Sequence, residues 1–235
     1  MTPAQPPAPP ASPNTVADAL VDVGRIGSYF SVGVGAGDGS WQAVAEGYAE
    51  GLAPLVEHHA DYLGVSERRV AASIAQLGHA ARLWSPVLAC ALLHGVVPDL
   101  RGLRRRPRGT ELLLPSTTGF LAPRGDACAR LVYDVVVKDH LQPLAAGLRV
   151  KLAPGLLNGN ASSALAGSAQ LLLRERPDVR EPLTRLTADL LKIGDLRDTG
   201  HLTGPDLTFR RRSCCLYYRV PGGGLCGDCP LPHHP

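Results

Sequence analysis

Four cysteines crowd into the tail of this 235-residue chain: Cys214, Cys215, Cys226 and Cys229, in the run SCCLYYRVPGGGLCGDC. Whatever the rest of the chain becomes, this C-C-x10-C-x2-C segment must be shaped around its sulfurs. Adjacent cysteines beside so much glycine and proline make a poor core and a good ligand set, for zinc or for an iron–sulfur cluster. In an extended chain Cys214 and Cys215 would face opposite ways. Serving one centre therefore needs a local kink, or a centre that can be reached from two sides. The stretch between Cys215 and Cys226 would span roughly 33 Å if straight. It must fold back, and Pro221 with Gly222, Gly223 and Gly224 supplies the reversal.

Zinc knuckles are usually two separated C-x2-4-C pairs, and only Cys226–Cys229 has that form. A [2Fe–2S] cluster needs two thiolates on each of two irons, which the pairs 214/215 and 226/229 match in number. Such a cluster with its thiolates carries about −2 charge oxidised and about −3 reduced. Arg210, Arg211, Arg212 and Arg219 flank the ligands, and positive charge there favours the reduced state. Spacing leaves zinc open as the alternative. A disulfide-stapled tail would require an oxidising compartment. The N-terminal MTPAQPPAPPASP lacks the basic and apolar regions of a secretory signal, so a cytoplasmic protein is expected.

Alanine and leucine dominate the apolar residues and aromatics make up only 5%, which favours helices. A net charge of +3 is too mild to argue for nucleic-acid binding, and apolar runs such as 87–93 are too short for stable membrane insertion. The expected fold is α+β and mainly helical: a Pro/Ala-rich disordered tail over 1–13, a helical domain with a short β-hairpin over 14–204, and a cysteine-rich lobe over 205–235.

Helical patterns run from Thr15, from Trp41 to Leu63 with a bend at Pro54, and from a cap at Ser66 to Leu93 with a break at Pro86. Further helices are expected from Asp126 to about Arg149, from Ala161 to Arg176 and from Val179 to Leu191. Asn158 or Asn160 is read as the cap of the second of these, with Ala161, Ala164 and Gly167 allowing a close neighbour. The stretch SVGVGAGDGS alternates its glycines, never forms G-x-G-x-x-G and reads as a surface loop. A hairpin is predicted around Arg108-Gly109, its tip carrying Arg104, Arg105, Arg106 and Arg108 in solvent. Residues 194–206 read as a polar loop. Cys90 and Cys128 lie in apolar helical settings and read as small core residues, and His94 as structural.

The segment RRRSCCLYYRVPGGGLCGDCPL resembles the C-terminal signature of the ferric siderophore reductases of the FhuF-like family, whose [2Fe–2S] ligands have this spacing. ARLWSPVLACALLHGVVPDL and LLNGNASSALAG look like that family's central helices and its Gly-Asn turn. An aromatic often precedes that Gly-Asn step in the family, where this chain has Asn158. The resemblance implies Cys214, Cys215, Cys226 and Cys229 as cluster ligands, with Arg211, Arg212, Arg219 and Asn160 toward a substrate. It implies a one-electron ferric-chelate reductase that releases siderophore iron in the cytoplasm, hydroxamate chelates being common substrates. No nicotinamide or flavin site is recognisable, so a separate donor, a ferredoxin or a flavin reductase, is expected. The alternatives are an iron–sulfur electron-transfer or redox-sensing protein and a zinc-stabilised interaction module.

Overall fold

Two long helices form the spine of the computed structural model, which describes residues 8–232. Helix α4 (Arg68–Leu93) and helix α7 (Pro154–Glu175) lie along each other. Ala161 and Ala164 are buried on α7, and small side chains let the helices approach. Trp84 fills the space beside them, its indole Nε1 donating to the Ala161 carbonyl at 3.0 Å. Ser85 donates to Ser168 at 2.9 Å. Gly167, expected at this contact, faces open space instead.

Helix α4 does not break at Pro86. Proline removes one helical N–H, but every residue from Leu83 to Ala91 is buried. The packing on both sides outweighs the lost bond. Ser66 does not cap the helix either, since Glu67 holds the cap position without a side-chain bond.

Helix α1 (Pro13–Gly24) starts on Ser12, whose hydroxyl accepts from the Thr15 amide at 3.1 Å. The expected disordered tail reached residue 13. Residues 1–7 lie outside the described residues, but those just before α1 are held. Strand β6 (Gly119–Leu121) pairs antiparallel with β3 (Val96–Pro98) on one side. Its Leu121 amide donates to the Pro9 carbonyl at 2.8 Å, and its Gly119 carbonyl accepts from the Ala11 amide at 2.9 Å. Proline cannot donate to a ladder, yet its carbonyl serves an open strand edge well.

The hairpin about Arg108-Gly109 is present as β4 (Arg104–Arg105) against β5 (Leu112–Leu114). It belongs to a four-stranded sheet. Strand β1 (Val32–Val34) pairs parallel with β5, and β2 (Gln42–Ala43) antiparallel with β4. The glycine-rich stretch is therefore partly sheet rather than wholly loop. Gly33 is the reason: a Cβ there would stand 3.0 Å from the Leu113 side chain. One residue of the hairpin is drier than expected, while Arg106 and Arg108 stay exposed. Arg105 is 3% exposed, Arg106 stacks on Trp41 at 4.5 Å, and Arg108 pairs with Asp61 at 2.7 Å.

The region 41–63 is two helices, α2 (Val44–Ala49) and α3 (Ala53–Leu63), not one bent at Pro54. Gly51 and Leu52 both take positive φ and turn the chain, while Pro54 sits in the first turn of α3. The helix expected from Asp126 is likewise divided. Helix α5 (Asp126–Tyr133) passes into a π-helical segment (Asp134–Leu141) and then helix α6 (Gln142–Gly147). The wider turns carry His140 into the core, where the Tyr48 hydroxyl bridges His140 Nδ1 at 2.9 Å and His79 Nε2 at 2.6 Å. One phenol supplies one proton, so one imidazole accepts and the other donates.

Burial holds the His140 pKa down, from 6.5 to about 4, and that of His79 well below its ordinary value. Between those values the unfolded chain binds a proton that the native state refuses. Native stability is thus full above about pH 6.5 and falls as the pH drops toward 4, by about 3 kcal/mol for a group shifted this far. Denaturant melts at pH 7 and pH 5 should show the loss, and His140→Gln should reduce that pH dependence, leaving the part that His79 contributes.

Helix α8 (Arg180–Leu190) packs on α5 and α7. Beyond it the expected polar loop contains β7 (Gly200–Leu202), antiparallel to β8 (Phe209–Arg211). This pair crosses the expected boundary at 204, so the cysteine segment is tied to the helical body by a ladder. The fold is a mainly helical α+β arrangement with small sheets and its cysteines clustered near the C-terminus. No helix among the described residues is long and apolar enough to cross a membrane.

Candidate iron–sulfur site

Strand β8 delivers the chain to the site with its side chains alternating. Phe209 and Arg211 point inward and are buried, while Arg210 and Arg212 are exposed. The strand then ends, and Leu216 at φ 69° turns the chain directly after the adjacent cysteines. The Leu216 amide turns back to Cys214 Sγ at 3.3 Å. Ser73 of α4 donates to the Cys215 carbonyl at 2.7 Å and pins this bend to the spine.

A 3₁₀ turn at Tyr217–Arg219 begins the return. Gly222 takes φ 70°, and the Gly223 amide closes on the Val220 carbonyl at 2.8 Å. This is the reversal expected at Pro221–Gly224. The second pair sits on a tight turn, Cys229 N–H to the Cys226 carbonyl at 3.1 Å, and the Asp228 carbonyl accepts from the Arg211 amide at 3.2 Å. Both halves of the signature thus hang from the end of β8.

The folding brings the pairs together, with Cys215 and Cys226 sulfurs 3.5 Å apart. Cys215 and Cys229 are buried, and Cys214 and Cys226 are partly exposed. Cys215 is the readier thiolate: its contact with the Cys226 sulfur, with help from nearby Arg211, lowers its pKa to about 6. That same contact holds the proton on Cys226. Burial raises the Cys214 pKa against the opposing pull of the Leu216 amide. Among the described residues no group of three or more His, Cys, Asp or Glu side chains is arranged to hold a metal ion, so the sulfurs meet as a pair and not as a closed cage.

Arg211 shows that the site fits an anionic centre. It is 2% exposed, and its Nη2 donates to Asn160 Oδ1 at 2.5 Å. Its Nε and Nη1 are buried with no partner, and so is the Ser213 hydroxyl beside them in the chain. A buried cation without a counter-charge costs several kcal/mol. Both Cys214 and Cys215 feel this guanidinium. Thiolates around a cluster with net negative charge would supply the missing counter-charge and accept the idle N–H groups.

Asn160 and Arg211 are therefore not surface contacts for a substrate, as the sequence suggested. Asn160 is neither exposed nor a helix cap. It lies well inside α7, and its Nδ2 donates to the carbonyl and hydroxyl of Ser73, both at 3.0 Å. Ser73, Asn160 and Arg211 form one buried chain from the spine to the cysteines. Arg212 and Arg219 do remain at the surface, paired with Asp198 at 3.7 Å and Glu67 at 2.9 Å. Burial pushes the Cys90 thiol up to about 12, and Cys128 also packs against the core. His233 and His234 lie outside the described residues.

Gly159 was part of the Gly-Asn step, yet its role is visible only here. A Cβ at this position would collide with the Ser213 hydroxyl. Gly159→Ala should turn the Ser213 hydroxyl out of its place and crowd Arg211 Nη2, at a cost of about 1 kcal/mol, the low end of the range for overpacking. A thermal melt and the iron content of the purified variant measure the two consequences.

The arrangement is that of a mainly helical α+β protein with a C-terminal cysteine segment seated on two helices. Residues 211–231 match the family model described as the FhuF 2Fe-2S C-terminal domain. The match begins at the buried arginine and takes in all four cysteines. It points to an iron–sulfur protein with a [2Fe–2S] cluster. No curated protein matches the chain.

Proposed function

We propose that the protein is a ferric-siderophore reductase that passes one electron to chelated Fe3+ and releases Fe2+ in the cytoplasm. The observation that carries this reading is the buried Arg211 guanidinium, with two idle donors, beside the cysteine segment in which the Cys215 and Cys226 sulfurs meet. Cys214, Cys215, Cys226 and Cys229 hold the group, and a [2Fe–2S] cluster bound there supplies a one-electron carrier. The chain itself sets the conditions. Arg211 keeps positive charge beside the ligands, which favours the extra electron. The Leu216 amide donates to Cys214 sulfur, which does the same.

Access follows from exposure. Cys214 and Cys226 are partly exposed, and Arg212 and Arg219 of the same segment have side chains 65% and 40% exposed. A bulky ferric chelate needs no cavity to approach such a site. Hydroxamate oxygens are hard ligands that prefer the higher-charged ion, so the one-electron product is bound less tightly and leaves. The electron comes from a separate ferredoxin or flavin reductase.

The test has two stages. Anaerobically purified protein should be red-brown, with visible charge-transfer bands and, after reduction, an EPR signal. Reduced protein freed of dithionite should then be reoxidised by ferric siderophores, one Fe2+ captured by a chelator for each electron. Colourless protein containing zinc refutes the cofactor. A coloured protein that reduces all ferric chelates alike, whatever their ligands, refutes the siderophore specificity.

A further inference from the structure

A second arginine is buried far from the cysteines in sequence, and it too makes no ion pair, although the Glu111 carboxylate acts on it from a distance. Arg105 lies on β4 and is 3% exposed. Its Nε donates to the Arg106 carbonyl at 3.4 Å and its Nη2 to the Gly109 carbonyl. Nη1 is buried with no partner. Carbonyl oxygens carry no full charge, and the Tyr48 phenol stays protonated because burial raises its pKa. Desolvation lowers the Arg105 pKa to about 10, which still leaves the side chain charged at neutral pH.

Arg105 borders two cavities. The larger, of about 290 Å³, is edged by Glu46 and Glu50, which repel anions. The smaller, of about 90 Å³, is lined by Tyr29, His59, His79, Arg82 and Thr110 besides Arg105, with no carboxylate in its wall. Arg82 lies over the Tyr29 ring at 5.0 Å, its Nη1 on the Ser28 carbonyl at 3.1 Å. Positive charge from Arg105 and Arg82 adds to burial in holding His79 neutral. The hairpin thus closes an electropositive hollow whose buried cation has an idle donor.

We propose that this smaller cavity binds a small oxyanion, a carboxylate or a phosphate group, between Arg105 and Arg82. A cavity of this size holds a few waters and suits one such group, not a whole chelate. Forked guanidinium donors match carboxylate and phosphate geometry, and the Thr110 hydroxyl adds a neutral donor. Helix α4 carries Ser73 at the cysteine end and Arg82 at this one. Nine residues of helix separate them by about 14 Å, so this site is distinct from the iron site. The inference does not depend on the iron chemistry.

Thermal melts and titration calorimetry of the full chain with sodium phosphate, citrate or acetate, against chloride at matched ionic strength, test the site. A saturable rise in Tm is expected with at least one oxyanion. Affinity should fall at least tenfold in Arg82→Gln and vanish in Arg105→Met. Response to phosphate alone or to carboxylates alone supports the site and names its ligand class. Non-specific salting-out would raise the Tm of the variants equally. That result, or no saturable response to any of the three anions, overturns the proposal. Arg82→Gln leaves the buried arginine in place, so it decides the matter even if Arg105→Met does not fold.

Discussion

Cys226→Ser should yield a folded protein without visible charge-transfer bands, without the EPR signal of the reduced form and without ferric-chelate reduction. The physical ground is the donor set. Four thiolates hold two irons, and serine offers a harder, far less acidic oxygen in place of one of them. Cys226 is also the sulfur in contact with Cys215, so its loss separates the two pairs. The fold should survive, because the spine of α4 and α7 is buried independently of the cysteine tip. Unchanged far-ultraviolet circular dichroism with iron content near zero is the expected pair of readings. A variant that keeps its iron and reduces chelates at the wild-type rate would remove Cys226 from the ligand set.

Arg211→Met should change stability in opposite directions with and without iron. In the iron-free protein the buried guanidinium has two idle donors and no counter-charge. Replacing it by an apolar side chain of similar length should stabilise that form, by about 1–4 kcal/mol on the scale measured for buried charges. With the cluster in place the same arginine neutralises negative charge, and its removal should destabilise the protein. The midpoint potential should fall as well, by about 60 mV for each tenfold loss in preference for the added electron. Denaturant melts of both forms and a potentiometric titration followed by EPR read these changes. Equal effects of Arg211→Met on the two forms would make the residue a packing element only. Asn160→Ala should weaken the same charge effect without abolishing it, because Ser73 and Asn160 orient the guanidinium and do not carry its charge.

The signature was legible because it is local. Spacing alone told that the chain must reverse at Pro221–Gly224, and that the adjacent cysteines need a local kink or a centre reached from two sides. The structure makes the reversal, with positive φ at Gly222, and turns at Leu216 just after the cysteine pair. The hairpin about Arg108-Gly109 was equally local and was found. The errors have a common cause. Strands β1 and β7 are three residues long; β1 owes its existence to β5, far along the chain, and β7 pairs with β8 across a short connection. Three residues give no periodicity to read. Pro86 looked like a break because propensity is local, whereas burial of the residues around it comes from α7, α1 and β3. Asn160 looked like a cap because asparagine usually is one; its real partners, Ser73 and Arg211, come from α4 and β8.

One signal in the sequence went unread. Phe209 and Arg211 are two apart on a strand, so whichever face buries the phenylalanine must bury the arginine. The run of three arginines then contains two solvated cations and one buried one, which is a different electrostatic object.

By itself the sequence determined the number and spacing of the thiols, the bends between them and the helical class of the body, all of which follow from neighbours a few residues apart. Only the tertiary structure decided which charges lost their water. Arg211 and Arg105 sit in arginine runs that look uniform on paper, and burial singled them out by packing β8 and the hairpin against helices distant in sequence. Desolvation depends on everything that surrounds a side chain, and no window of sequence contains that.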